Sequence, residues 1–226
     1  MGFRDRVDAG QKLAARLTEY DGRPDVLVLA LPRGGVPVGA EVARALGVPL
    51  DVFLVRKLGV PGHAELAMGA IAAGGLQVLS EALIRDLGLP PSLVQQVAAR
   101  ERLELDRRHR LFRGSRPPIS VRGRTILLID DGLATGSTMQ AAVMALRPQG
   151  PARIVVAAPV GARETCERLL RLADDVVCLE MPEPFTAVGL WYERFDQTSD
   201  EEVTRLLAAP APPARQRGTL PDPQGV

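Results

Sequence analysis

The chain has 226 residues, with 28 Lys and Arg against 27 Asp and Glu and a formal net charge of +1. That balance excludes a protein that holds polyanions by bulk charge, and so argues against a nucleic-acid partner. Apolar residues at 46 % and charged residues at 24 % are the proportions of a globular domain, and no apolar run approaches the roughly 18 residues of a membrane span. Met1 to Arg6 lacks the long apolar stretch of a secretory signal, and Cys166 and Cys178 are too few for a disulfide framework, so a cytoplasmic location is expected. His63 and His109 are likewise too few for a His-rich metal site. Of the basic residues only Lys12 and Lys57 are lysine.

In chain order, Arg6 to Tyr20 reads as an amphipathic helix with Val7, Leu13, Ala14 and Leu17 on one face. Asp25 to Leu31 is a near-continuous apolar run, expected of a strand buried on both sides. Pro32-Arg33-Gly34-Gly35 breaks it, Val36 to Leu46 reads as a helix, and Gly47 fits its stop. Leu50 to Val55 is a second buried strand running into Arg56-Lys57. Residues 58–79 hold five glycines and Pro61, and are read as a mobile loop followed by a short hairpin around Gly74-Gly75. Residues 80–122 form a helical insertion, within which Ser92 to about Phe112 is one long polar helix supported by Arg100–Glu104, Glu104–Arg108 and Asp106–Arg110 spacings. Ser92 to Arg124 carries nine arginines and three acids, which fits a solvated or subunit-facing helix better than a nucleic-acid contact.

Thr125 to Asp130 is a third buried strand, followed by a helix over Ser137 to Leu146, a strand over Arg153 to Pro159, a helix over Ala162 to Leu172 and a strand over Asp174 to Leu179. Asp200 to Leu207 closes the domain as a helix, and residues 209–226 are a Pro-rich tail expected to be disordered. Strands alternating with helices predict an α/β fold, a mostly parallel twisted sheet with helices on both faces, over residues 1–208.

The chemistry concentrates in Thr125-Ile126-Leu127-Leu128-Ile129-Asp130-Asp131-Gly132-Leu133-Ala134-Thr135-Gly136-Ser137-Thr138. A buried strand ends in two carboxylates, passes through small and hydroxyl residues, and enters a helix. Gly136 permits close backbone approach, Thr135, Ser137 and Thr138 offer hydroxyls, and the helix start adds N–H groups and the positive end of its dipole. These are the parts of a phosphate cradle, while the carboxylates suit sugar hydroxyls or magnesium held through water. The Walker loop is excluded because the segment has no lysine, and no Gly-x-Gly-x-x-Gly follows the first strand.

Ile126 to Thr138 resembles the phosphoribosyl pyrophosphate motif of type I phosphoribosyltransferases: four apolar residues, two acids, small residues, then Thr-Gly-Ser-Thr. The resemblance implies that Asp130 and Asp131 hold the ribose hydroxyls and that Ala134, Thr135, Gly136, Ser137 and Thr138 wrap the 5′-phosphate. Pro32-Arg33-Gly34-Gly35 resembles that family's pyrophosphate loop, and Arg56-Lys57 resembles the pair preceding the mobile loop of adenine phosphoribosyltransferases. The implied function is transfer of the phosphoribosyl group from phosphoribosyl pyrophosphate to a small heterocyclic acceptor, with Mg2+ as cofactor and a homodimer as the family's common state. A regulatory protein of the same fold that senses phosphoribosyl pyrophosphate or nucleotides is the alternative, and a hydrolase acting on a ribonucleotide in the same cleft is a third reading.

Elementary chemistry asks for cations at the pyrophosphate end, a role for Arg33, Arg56 and Lys57, and for a lid that excludes water, a role for Gly59 to Gly69. Where hypoxanthine-guanine enzymes carry an aspartate base this chain has Ala134, so a base must come from elsewhere, with Glu65 the candidate and His63 an incidental loop residue. Four of the eight aromatic residues, Phe185, Trp191, Tyr192 and Phe195, lie close together. Pro184 to Gly189 resembles the purine-binding segment of hypoxanthine-guanine enzymes, which makes Phe185 the stacking candidate, whereas Trp191 and Phe195 read as a hydrophobic plug. The lysine those enzymes place after the preceding strand is absent, Pro159-Val160-Gly161 standing there, and Cys166 and Cys178 read as core residues.

Overall fold

The computed structural model describes residues 2–73, 75–114, 117 and 119–209, without the side chains of Ala64 and Glu65. The expected tail, from 210 onward, and Gly74 of the expected hairpin therefore lie outside the described residues. The chain runs α1 (Arg6–Ala14), β1 (Val26–Ala30), α2 (Gly35–Leu46), β2 (Leu50–Val52), β3 (Val55–Val60), β4 (His63–Ala72), β5 (Gln77–Leu79), α3 (Glu81–Asp86), α4 (Pro91–Arg113), β6 (Thr125–Ile129), α5 (Ser137–Leu146), β7 (Arg153–Val160), α6 (Arg163–Leu170), β8 (Asp175–Glu180) and α7 (Asp200–Ala208). Short 3-10 turns sit at Thr18–Tyr20, Arg147–Gln149 and Val188–Trp191.

The main sheet is five-stranded and parallel, in the order β2-β1-β6-β7-β8. Its central strands β1, β6 and β7 are almost wholly apolar because both faces are covered. Leu27, Leu29, Ile126, Leu128, Ile154 and Val156 point into one core with Met139, Val143 and Leu169 of α5 and α6. The alternate residues Val26, Val28, Leu127, Ile129, Val155 and Ala157 point into the other, against Leu13 and Leu17 of the N-terminal segment and Val38, Val42 and Leu46 of α2. Each such side chain contributes roughly 1.5–3 kcal/mol on burial.

Residues 55–79 differ from the sequence-based expectation of a loop and one hairpin. They form a three-stranded antiparallel sheet, β3-β4-β5, with a tight turn at Pro61-Gly62 and register shifts around Gly59. The apolar residues between the glycines explain the difference. Val55, Ala70 and Ala72 pack into the core beside α5, while Leu58, Met68 and Ile71 pack the opposite face against Val94, Ala98 and Leu105 of α4. The glycines therefore lie within a two-sided sheet and mark bulges as well as turns. For the same reason the expected strand Leu50–Val55 divides, and Arg56-Lys57 lies on β3 of the second sheet. The end of α4 is tied to β2, where the buried Arg113 guanidinium pairs with Asp51 and donates to the Val52 carbonyl at 3.2 Å.

Strand order determines where a ligand can sit. From β1 the chain moves outward to β2, then crosses to the other side of β1 to lay down β6. Loops leaving the carboxyl ends of β1 and β6 diverge at this switch, opening a crevice where parallel sheets place ligands.

Candidate functional site

The first wall of the crevice is Leu31-Pro32-Arg33-Gly34-Gly35, whose start is pinned by Leu31 N–H donating to the Ile129 carbonyl at 2.8 Å. A β-carbon at Gly34 would overlap the Asp131 carboxylate, and one at Gly35 would lie 2.7 Å from the Ile129 carbonyl oxygen and 2.9 Å from Asp130 Cα. These glycines allow the β1 loop to lie directly on the acid pair.

The second wall is the turn from Gly132 into α5, around a crevice of about 160 Å³. Gly136 caps the helix at φ +66° without a side chain of its own, so the helix start and its dipole face the crevice. Two side chains of α6 orient the loop from behind: Thr165 Oγ1 donates to the Ala134 carbonyl at 2.7 Å, and Arg168 Nη2 donates to the Thr135 carbonyl at 2.6 Å. Because a trans peptide is planar, a carbonyl held toward α6 turns its own N–H the opposite way, toward the crevice. Neither Thr165 nor Arg168 stands out in the sequence.

Asp130 and Asp131 form the floor. Asp131 Oδ2 accepts from Arg6 Nε and Nη2, both at 2.8 Å, and its carbonyl accepts from the Tyr192 hydroxyl at 2.6 Å. Arg6 also donates to the Asp196 carbonyl at 2.6 Å and lies 4.0 Å over the Phe195 ring. Its position is fixed by short pairing of the N-terminal segment with residues 191–194, with Phe3 N–H donating to Trp191 at 2.7 Å and Glu193 N–H to Phe3 at 2.8 Å. Asp130 is half-buried at the crevice floor, and desolvation, followed by the neighbouring Asp131 charge, pushes its carboxyl well above the ordinary carboxylate range. Burial similarly raises the Tyr192 phenol.

This floor does not by itself make a metal cage. One carboxyl resists ionisation, the other is held by a guanidinium, and no cluster of three or more His, Cys, Asp or Glu suited to a metal occurs among the described residues.

Beside the crevice opens a larger cleft of about 820 Å³, bounded by Pro32, Arg56, Lys57 and Thr138 and, across from them, Arg100 and Arg108 of α4. The expected cations divide here. Lys57 lines the cleft, and so does Arg56, whose guanidinium is held by the buried Glu101 at 2.7–2.8 Å. Arg33 is turned toward Asp200 of α7, 3.6 Å away. The side chain of Glu65 lies outside the described residues. Phe185 borders a separate cavity of about 780 Å³ on the far flank of the phosphate loop, with Arg168, Thr186 and Leu66. Trp191 packs in the cluster around Phe3 and Tyr192, and Phe195 stacks 4.9 Å from Tyr192.

The arginines of α4 are largely engaged. Arg107 and Arg108 both hold Glu104, whose carboxyl is lowered to about 2 by these bonds, and Arg100 and Arg113 reach Glu101 and Asp51. The helix is thus one wall of the cleft, cross-braced along its length. Among the described residues no helix is long and apolar enough to cross a membrane.

The geometry agrees with the comparisons to known proteins. The chain is 46 % identical over 205 residues to the "Putative phosphoribosyl transferase Rv0571c" of Mycobacterium tuberculosis H37Rv, and equally to the "Putative phosphoribosyl transferase MT0597" of strain CDC 1551, covering 91 % of this chain. It spans 46 %, about half, of the length of these relatives. The solved structure of TT1426 from Thermus thermophilus is 45 % identical, superposes with a TM-score of 0.85 and covers 92 % of this chain and 98 % of its own. A family model described as the phosphoribosyl transferase domain matches residues 4–193, and the chain therefore belongs to the phosphoribosyl transferase family.

Proposed function

We propose that this chain transfers the 5-phosphoribosyl group of phosphoribosyl pyrophosphate to a nitrogen atom of a small heterocyclic acceptor, releasing pyrophosphate. The observation that carries the reading is the convergence, at one switch point, of a phosphate cradle, an acid pair and a cation-lined cleft. The cradle formed by Ala134 to Thr138 takes the 5′-phosphate through helix N–H groups and hydroxyls. Asp130 and Asp131 face the ribose hydroxyls, and Lys57 meets the pyrophosphate in the cleft. Mg2+ enters with the substrate phosphates and neutralises part of their charge.

In the reaction the bond between the anomeric carbon and pyrophosphate breaks, a carbon–nitrogen bond forms and the acceptor nitrogen loses its proton. Positive charge grows on the sugar and negative charge on the leaving group, so the protein's contribution is placement and electrostatics. Glu65 is the candidate to receive the proton. The tip of the β3–β4 hairpin is the candidate lid, since the sugar must be shielded from water.

The test is acceptor-dependent pyrophosphate release, screened over purine and pyrimidine bases with phosphoribosyl pyrophosphate and Mg2+. Release that disappears in the double variant Asp130→Asn plus Asp131→Asn supports the reading. Binding of the donor without turnover on any acceptor would instead indicate a regulatory sensor, and absence of any thermal stabilisation by the donor would overturn the assignment. Unchanged release by Lys57→Ala would remove that residue from the site.

A further inference from the structure

Behind the phosphate loop, and outside the chemistry described above, the two cysteines meet. Cys166 is on the first turns of α6, one residue after Thr165, and Cys178 is on β8. Both sulfurs converge on the backbone of Gly161, where a β-carbon would lie 2.9 Å from Cys166 Sγ and 3.1 Å from Cys178 Sγ. The two sulfurs thus meet at one point of the backbone, and Cys178 Sγ donates to the Glu180 carbonyl at 3.4 Å. Gly161 is fixed by its own N–H donating to that same carbonyl at 3.0 Å, so the space its missing side chain leaves is filled by the two sulfurs.

We infer that Cys166 and Cys178 form a reversible dithiol–disulfide site, open to hydroperoxide oxidants, that couples the position of α6 to the phosphate loop. Packing as small hydrophobic side chains explains two separate buried cysteines. It does not account for two thiols from different elements directed at the same face of one glycine. Their inequality supports the same assignment. The neighbouring Cys178 favours the thiolate of Cys166, while the nearby Cys166 and burial keep Cys178 protonated.

The chemistry balances with one oxidant. The Cys166 thiolate attacks the distal oxygen of a hydroperoxide, the O–O bond breaks, and the departing alkoxide takes a proton to leave as the alcohol. Cys178 sulfur then attacks the Cys166 sulfenic sulfur, its proton leaving with the displaced hydroxide as water. Two thiols and one hydroperoxide become a disulfide, an alcohol and a water molecule. Cys178 is the partly exposed member through which the oxidant reaches the pair, since Cys166 is 5 % exposed.

The consequence follows from α6. Thr165 and Arg168 hold the Ala134 and Thr135 carbonyls from this helix. Converting the thiol contact into a covalent bond draws the helix toward β8 and loosens those two bonds. This second step rests on the phosphate-loop reading above, whereas formation of the disulfide does not.

The experiment treats the full chain with hydrogen peroxide, unfolds it in an excess of an alkylating agent and measures intact mass. The expected result is a monomer that has lost two hydrogens, resists alkylation and regains two reactive thiols after dithiothreitol. In Cys178→Ser, Cys166 is expected to stop at a sulfenic acid trapped by dimedone. Two fully alkylated cysteines after oxidation, or a disulfide only between chains, would overturn the site. Ribose 5-phosphate titrated by calorimetry into reduced and oxidised protein reads the coupling, with affinity expected to fall roughly fivefold on oxidation, the equivalent of about one hydrogen bond. Equal affinity in both states would overturn the coupling. No binding in either state, with the disulfide formed, would overturn the phosphate-loop reading and leave the dithiol site standing.

Discussion

Arg6 and Asp131, 125 residues apart in the chain, meet through two N–H···O contacts of 2.8 Å with their side chains only 12 % and 15 % exposed. The guanidinium also braces the Asp196 carbonyl and the Phe195 ring, so one residue of α1 joins the floor of the site to the segment that follows β8. Removing it leaves a half-buried carboxylate without its cation. Arg6→Ala is therefore expected to cost roughly 3 kcal/mol, because stranding one member of a buried pair is far worse than never having built it. Chemical denaturation measures this. The double variant Arg6→Leu plus Asp131→Asn should recover much of the loss, and a double variant no more stable than Arg6→Ala would contradict the argument.

Asp130 presents the opposite case, a site residue whose charge opposes folding. Its pKa is raised in the folded state, chiefly by desolvation and then by the Asp131 charge. Below the unfolded value near 3.8 both states are protonated and nothing is lost. As pH rises above it, the unfolded chain releases its proton while the folded one retains it, so stability declines toward the folded pKa. Asn carries no such dependence and keeps the oxygen that accepts Asp131 N–H at 2.9 Å. Asp130→Asn is thus expected to melt higher than the parent at pH 7.5, with a smaller advantage at pH 5. For a domain of this size each kcal/mol appears as about 2–4 °C in Tm. Under the proposed function, in which Asp130 meets the ribose, transferase activity should fall at the same time.

Gly34 is constrained by the same acid pair. A methyl group there would overlap the Asp131 carboxylate, which Arg6 holds in place through two bonds of 2.8 Å. Gly34→Ala is expected to destabilise by about 1–3 kcal/mol, as overpacking does, and to weaken donor binding through displacement of the β1 loop. Gly123→Ala is the control: it lies before β6, at the end of the sheet away from the crevice, at φ +69° with nothing within 4 Å of a β-carbon, so it should cost only about 1 kcal/mol of backbone strain and leave donor affinity unchanged. Thermal melts with and without the donor separate the two.

These cases show which parts of the molecule a sequence reveals. The segment from Asp130 to Thr138 is legible because strand end, small residues and helix start are contiguous, and α5 begins and ends where its pattern does. Alternation of buried strands and helices gives the parallel sheet for a similar reason, the central runs being almost wholly apolar. Residues 55–79 mislead because their glycines interrupt the apolar pattern, and only packing between α4 and α5 makes a sheet of them. Arg33 and Arg56 each follow a strand, yet sequence cannot reveal that α7 brings Asp200 to one and α4 brings Glu101 to the other. Tyr192 belongs to an aromatic cluster visible in the sequence, but its bond to Asp131 spans 61 residues and Arg6 carries no local signal at all.

The support of the phosphate loop from behind yields the last expectation. Thr165 and Arg168 touch carbonyl oxygens and lie on the opposite side of the loop from the crevice, so they position the loop and do not contact the phosphate. Thr165→Val keeps the shape and removes the donor, leaving the Ala134 carbonyl without its partner, a loss of about 1 kcal/mol. Its peptide is then free to rotate, and the N–H of Thr135 no longer has a fixed aim. The donor's KM should rise about fivefold with kcat nearly unchanged, because the phosphate stays far from the breaking bond and is bound alike before and during reaction. Arg168→Met should act in the same direction at the Thr135 carbonyl. Steady-state kinetics over a range of donor concentrations at saturating acceptor provide the measurement. A fall in kcat with KM unchanged would mean that the loop is coupled to the chemical step and does more than grip the phosphate.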